Sequence, residues 1–256
     1  MPLGQRSTVW PLVYINLDRD VQRRERMEAL LSGLPFPYSR LSGVLWSELS
    51  PQEQVRLYSP SLNAKQFFRP LVDGEKGCYA SHLRACKHLL ASDWPAIVVL
   101  EDDVALADRF CEIITALQNL GNEGWDLIKL YSRPDERPRA RQALTGDWDW
   151  IIYQRVPSMS NGYVLSRAGA RKLLNRRIPF ARPVDVDVRY WWECDLRVYG
   201  VLPSIVTMAP SSEHSSIWVG GRPRRRWDER LRRWSLQADY SLRNAWYGAR
   251  QSFPVS

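Results

Sequence analysis

Three consecutive acids, Glu101, Asp102 and Asp103, close the run AIVVLEDDV at residues 96–104. Carboxylates this close repel one another unless they share a cation, and a cluster of oxygens suits a hard divalent ion. The apolar, β-rich residues ahead of them, entered from Trp94-Pro95, read as a buried strand, so the acids stand at its C-terminal end. In open α/β sheets that edge is where ligands bind. The competing reading is that the triplet caps the next element and faces water.

Other residues with chemical potential fall at element ends. Arg19, Arg23 and Arg24 follow a first strand at Leu12–Ile15, where they are candidates to meet a diphosphate or a base, or else form a solvated helix face. Cys78, His82 and Cys86 recur at fourfold spacing in one helical stretch. Three ligands in one row cannot close a tetrahedron around zinc, so a buried face is expected, with His82 hydrogen-bonding near a ligand as the second reading. In PVDVDVRYWWECD, Asp185 and Asp187 lie beside Trp191, Trp192 and Glu193. Acids next to aromatic rings suit a sugar, which has an apolar face and a polar rim. The alternative places the tryptophans in the core and the aspartates in a helix's first turn. His214, beside Glu213, is either a lone exposed histidine or a ligand brought next to the triplet.

The elements that must position these groups alternate. DVQRRERMEALLSG is a helix capped by Asp18 or Asp20 and ended by Gly33, and Tyr38–Leu41 is a short second strand. Ser50-Pro51-Gln52-Glu53 is a capping box, and DGEKGCYASHLRACKHLLAS is a longer helix. After the acids come a helix over Asp108–Leu120, a strand at Leu127–Tyr131 and a polar, arginine-rich stretch read as an exposed lid loop. Ile151–Gln154 and Gly162–Leu165 are strands, Ser166 caps the helix RAGARKLLN, and Gly200–Met208 returns as a strand. Strand–helix alternation predicts an α/β fold with a mostly parallel central sheet and flanking helices.

The chain of 256 residues carries a net charge of +8, which favours an anionic partner. No apolar run is long enough to span a bilayer and the N-terminus lacks a signal pattern, so a cytoplasmic protein is expected. Four cysteines without a CxxC pair are expected to be reduced thiols. From Gly220 onward Trp227, Leu231, Trp234, Ala238 and Leu242 recur at helical spacing among arginines. This basic amphipathic tail suits the surface of an anionic membrane, against the alternatives of packing on the main domain or binding nucleic acid. The expected division is a catalytic domain over 1–212 and the tail over 213–256.

INLDRDVQRRERM, GEKGCYASH, VVLEDDV, NGYVLSRAGARKLL and PVDVDV occur in that order, and together they resemble glycosyltransferase family 25. That family comprises the lipooligosaccharide galactosyltransferases, with the collagen galactosyltransferases as relatives. The resemblance implies a GT-A-type, Rossmann-like nucleotide-sugar transferase fold, a UDP-sugar donor and Mn2+ or Mg2+ held by an acidic motif. Glu101, Asp102 and Asp103 take the place of that motif, with Asp103 the direct ligand and His214, in a loosely matching segment, a further one. Asn16, Arg19 and Arg23 would lie by the nucleotide, and Ser81 and His82 near the donor.

The implied reaction is transfer of a hexose, galactose first, to a lipooligosaccharide, lipopolysaccharide or other surface glycan at the inner face of the cytoplasmic membrane, with no nucleic-acid partner. An inverting transfer needs a carboxylate base, for which Asp185 is the first candidate, Asp187 the second and Glu213 the third. A metal-dependent phosphohydrolase or nucleotidyltransferase, and a non-catalytic basic membrane-surface protein, are the competing classes.

Overall fold

The computed structural model describes residues 9–209 and 227–254. Ten strands are β1 (Leu12–Asn16), β2 (Tyr38–Ser42), β3 (Ala96–Glu101), β4 (Val104–Leu106), β5 (Leu127–Lys129), β6 (Pro138–Thr145), β7 (Trp148–Tyr153), β8 (Gly162–Ser166), β9 (Val198–Leu202) and β10 (Val206–Met208). The α-helices are α1 (Val21–Ser32), α2 (Pro51–Leu57), α3 (Pro60–Gln66), α4 (Asp73–Ala91), α5 (Phe110–Asn119), α6 (Arg167–Arg176), α7 (Val184–Asp187) and α8 (Trp227–Gly248).

Eight strands form one sheet in the order β2-β1-β3-β8-β5-β9-β7-β6, and β10 pairs with β4 beside it. The pairings of β1 with β2 and β3, and of β5 with β9, are parallel, while β8 and β7 run against their neighbours. Six of the eight strands therefore point one way, and their C-terminal ends share one edge of the sheet.

β3 sits in the middle because it is apolar on both faces. Ala96, Val98 and Leu100 join a cluster with Met27 and Leu31 of α1 and Phe110, Ile113 and Ile114 of α5. Ile97 and Val99 point the other way, into a cluster with Ala85, Cys86 and Leu89 of α4 and Ala170 of α6. Each of the Val, Leu, Ile, Met and Phe side chains among them is worth roughly 1.5–3 kcal/mol when fully buried. Helices thus cover both faces, as the alternation predicts.

Local signals in the sequence are realised in several places. Ser50 and Glu53 form the reciprocal capping box at the start of α2, with Glu53 N donating to Ser50 Oγ at 3.3 Å and Ser50 N to Glu53 Oε2 at 3.0 Å. Ser166 Oγ accepts from Gly169 N at 3.1 Å and starts α6.

Two expectations are corrected. The arginine-rich stretch after Tyr131 is not a lid loop: Pro138–Thr145 pairs antiparallel with β7, and Gly146, at φ +52°, makes the turn between them. The return strand Gly200–Met208 is divided into β9 and β10 around Pro203, whose ring cannot donate to a ladder.

The C-terminal segment is packed on the domain. Gln251 Nε2 donates to Val198 O at 2.6 Å, Tyr199 Oη to Ser252 O at 2.8 Å, and the Phe253 ring lies 5.0 Å from Trp150. Cys86 and Cys194 are buried and Cys78 and Cys111 partly so, all four as free thiols.

Candidate active site

A cavity of about 380 Å³ opens at the C-terminal ends of β1 and β3. Register alone brings the two ends together, since Ile15 pairs with Glu101 and Asn16 follows at the strand's last position. Asn16, Arg19, Arg23, Ser81, His82, Glu101, Asp102 and Asp103 all line the cavity. Residues dispersed from 16 to 103 therefore converge on one cavity. Its far wall is the loop Gly43–Ser47, which the sequence did not single out.

The three acids do different things. Asp102 Oδ2 accepts from Asn16 Nδ2 at 2.7 Å and Oδ1 from Arg23 Nη1 at 3.0 Å. Asn16 is fully engaged, because its Nδ2 also donates to Asp20 O at 3.1 Å and its Oδ1 accepts from Arg40 Nε at 2.9 Å. Arg26 secures the turn from below, donating to the carbonyls of Asp102 and Val104. Asn16 and Asp102 are thus occupied with each other and hold the turn. Burial raises the Asp102 carboxyl and the Asn16 bond opposes that rise.

Asp103 is the acid left for a ligand. Its Oδ1 is buried and has no hydrogen-bond partner among the described residues, while Oδ2 lies 3.8 Å from Arg23. Burial, followed by the neighbouring Glu101 charge, lifts its carboxyl to about 6. An orphaned, charge-crowded carboxylate oxygen is a site that a cation would satisfy. The lining as a whole has the same sign: Asp20, Asp73, Glu101, Asp102 and Asp103 outnumber Arg19 and Arg23, a balance that a bound cation would offset.

Helix α4 supplies the floor. His82 Nδ1 meets Tyr163 Oη at 2.8 Å, which orients Nε2 toward Glu101 Oε1 at 3.3 Å. Cys78, one turn earlier, completes a trio whose ligand atoms lie within 4.8 Å of one another. Glu101, not Cys86, is the third member, because Cys86 faces the core behind α4. Burial, then the carboxylates of Glu101, Asp185 and Asp103, holds the Cys78 thiol well above its usual range.

Ser81 is a positioning group: its Oγ accepts from Val44 N at 2.8 Å and donates to Gly77 O at 2.8 Å, pinning the loop wall to the helix. Gly77 permits that approach, since a Cβ there would stand 2.4 Å from Val44 O.

The second acidic group is split by the structure. Burial raises the carboxyl of Asp185, in α7, while Lys129 draws it down and Glu101 adds to the rise. Asp187 is corrected from candidate base to structural anchor. It ion-pairs with Arg182 at 2.7 Å and Arg177 at 3.0 Å and accepts from Tyr79 Oη, all in a buried network. Glu193 joins the same two arginines at 2.8 and 2.7 Å. Trp191 and Trp192 are likewise not a sugar platform, because Trp192 stacks on Tyr247 of α8 with centroids 5.5 Å apart and Trp191 sits edge-on to both. His214 and Glu213 lie outside the described residues.

Two buried polar groups beside the acids escaped the sequence reading, since an Asn or Lys in a strand context carries no periodic signal. Asn161 accepts from Glu101 N at 2.8 Å on its carbonyl, while both polar atoms of its buried amide lack partners among the described residues. Lys129, at the end of β5, donates to Met159 O, and burial lowers its ammonium to about 8 against the pull of Asp185 and Glu101.

The family model for glycosyltransferase family 25 (LPS biosynthesis protein) matches residues 11–188. Procollagen galactosyltransferase 1-A of Xenopus laevis is 30% identical over 187 residues, which cover 68% of this chain and 29% of that protein. A glycosyltransferase 25 family member of Drosophila pseudoobscura pseudoobscura is 25% identical over 189 residues, 73% of this chain and 30% of that one. The chain thus spans about three tenths of the length of these relatives. Among solved structures, A197 from STIV is similar with a TM-score of 0.40 and 14% identity, over 77% of this chain and 83% of that one. The family match takes in the converging acids, arginines and histidine, and it shows that the chain belongs to glycosyltransferase family 25.

Proposed function

We propose that the chain transfers a hexose, galactose in the first instance, from a UDP-sugar to a hydroxyl of a glycan acceptor of the lipooligosaccharide or lipopolysaccharide type. The observation that carries this reading is the orphaned, buried Oδ1 of Asp103 in a cavity lined by five acids and two arginines. Family membership and the galactosyltransferase names of relatives support the sugar and the reaction class.

Asp103 and Glu101 are the residues that would hold Mn2+ or Mg2+. When bound, such an ion offsets the charge that builds on the β-phosphate as it leaves. Arg19, whose side chain is 55% exposed at the cavity, and Arg23 add positive charge for the diphosphate. Asn16, Arg23 and Arg26 keep the acidic turn fixed, so its carboxylates need no reorganisation during reaction. His82, aimed by Tyr163 and lining the cavity, would contact the donor.

In an inverting transfer the acceptor oxygen bonds to the anomeric carbon as the bond to the β-phosphate oxygen breaks. The hydroxyl proton passes to Asp185, whose half-buried, raised carboxyl is a better base than a fully solvated one. General base catalysis of this kind contributes about 10²- to 10⁴-fold.

The test is incubation of the chain with UDP-galactose, UDP-glucose and UDP-N-acetylglucosamine, with and without Mn2+ or Mg2+, following both UDP and free phosphate. Metal-dependent release of UDP from one donor, abolished by Asp103→Asn, is the expected result. Release of phosphate or of UMP with sugar phosphate would instead indicate a phosphohydrolase or nucleotidyltransferase. Absence of binding to every donor under every metal condition would overturn the reading.

A further inference from the structure

Helix α8 has two working faces, and the packed domain uses one. Tyr240 is 1% exposed and Asn244 5%. Tyr240 lies against Tyr190 and Trp192, with centroids 5.2 and 5.6 Å away, and Asn244 Nδ2 donates to Gln154 O at 2.8 Å. At 3.6 residues per turn, Trp227, Leu231, Trp234, Ala238 and Leu242 fall on the opposite side. Trp227, Leu231, Trp234 and Leu242 are 72–78% exposed. Four large apolar side chains in one row along a helix, all turned outward, form a surface that water alone does not explain.

The charge beside that row narrows the partner. Arg230, Arg232 and Arg243 flank it on the same helix, Arg233 turns inward with its guanidinium 5.9 Å from the Phe68 ring, and Arg222, Arg224, Arg225 and Arg226 precede the helix in the sequence. From Gly220 to the end, nine arginines face three acids. Trp and Leu on one face with arginines along its flanks is the composition of a helix that lies in a lipid interface, its rings at the headgroup level and its guanidinium groups on phosphates. A second copy of this chain fits less well, since a twofold contact would bring like-charged arginine rows together.

We infer that the outward face of α8 docks the protein onto an anionic lipid bilayer as a peripheral attachment. This goes beyond the proposed transfer reaction and does not depend on it. Its apolar side chains lie along one side only, which suits a helix in the plane of the surface; among the described residues no helix is long and apolar enough to cross a membrane. The inward face of α8 rests on the segment Val188–Cys194, which continues directly from α7 and Asp185. Docking would therefore hold the segment that carries the candidate base beside a lipid surface.

The test is co-sedimentation of the full chain with vesicles of phosphatidylcholine alone and of phosphatidylcholine mixed with phosphatidylglycerol, at low and high NaCl. Tryptophan emission is recorded in parallel. Binding to the anionic vesicles, weakened by salt and accompanied by a blue shift, is expected. The double variant Trp234→Ser, Leu242→Ser leaves the charge unchanged and touches only exposed positions; it should keep the native melting curve and lose about tenfold or more in vesicle affinity. Binding by the variant equal to the native chain, or no binding by the native chain, overturns the inference. So does light scattering that shows a native dimer converted to monomer by the same two substitutions, since the face would then be a self-interface.

Discussion

Asn16 Nδ2 and Asp102 Oδ2 meet at 2.7 Å although 86 positions separate them in the chain. The bond joins the end of β1 to the turn that follows β3, and it fixes which of three adjacent acids is spent on structure. Because Asp102 is held by Asn16 and Arg23, Asp103 is the one whose oxygen is left without a partner.

Asn16→Ala removes a partner from a buried carboxylate and frees Arg40 and the Asp20 carbonyl from their contacts with the amide. A cost of about 1–3 kcal/mol is expected from the unmet acceptor alone. Thermal melting should show that loss, and calorimetric titration with UDP-sugar and Mn2+ should show weakened donor binding as the acidic turn loosens.

Asp185 and Asp187 separate by what each substitution damages. Asp185→Asn should keep the melting temperature and donor binding while transfer falls about 10²- to 10⁴-fold. Asp187→Asn leaves Arg177 and Arg182 with an unmatched buried charge, at a cost of about 3–5 kcal/mol. It should lower the melting temperature markedly. A folded, donor-binding Asp185→Asn enzyme with native turnover would remove Asp185 from the reaction.

Gly77→Ala places a methyl group 2.4 Å from Val44 O. Since that carbonyl is backbone, the loop wall must move away from α4, and the Ser81 bond to Val44 N stretches with it. Donor affinity should drop by roughly tenfold or more, a change of at least about 1.4 kcal/mol, and the melting temperature should fall with it, because Trp46 of the same loop belongs to a buried apolar cluster.

Lys129 gives a stability signal with a definite sign. Its ammonium is lowered by burial from 10.5 to about 8, so between those values the unfolded chain binds more protons than the folded one. Stability therefore rises with pH across that window, by an amount on the order of 3 kcal/mol. Lys129→Met lacks this contribution. In melts from pH 7.5 to 10 the native chain should gain relative to the variant, and parallel curves would show that Lys129 does not titrate in that range.

Much of the architecture is local and so was legible in the chain. The apolar run into Glu101, the Ser50–Glu53 capping box and the Ser166 cap are short-range patterns, and they recover β3, α2 and α6 because a strand's burial or a helix's first turn depends on neighbours in sequence. The acids after β3 and the arginines after β1 were legible as strand-end groups, since parallel strands share one C-terminal edge, whereas Asn16 and His82 were tied to them only by the family resemblance. The sequence determined, too, that α8 would have an apolar stripe among arginines.

Tertiary structure decided the rest, because it depends on which surfaces meet. Asp185 and Asp187 are two residues apart and chemically identical, yet Arg177, Arg182 and Tyr79 close around only one of them. Trp192 has the aromatic face a sugar would use, and Tyr247 covers it. The stretch Pro138–Thr145 reads as loop until β7 offers it a ladder. A partner supplied from far along the chain satisfies a charge, a ring or a strand edge, and no periodicity within the segment announces that it will arrive.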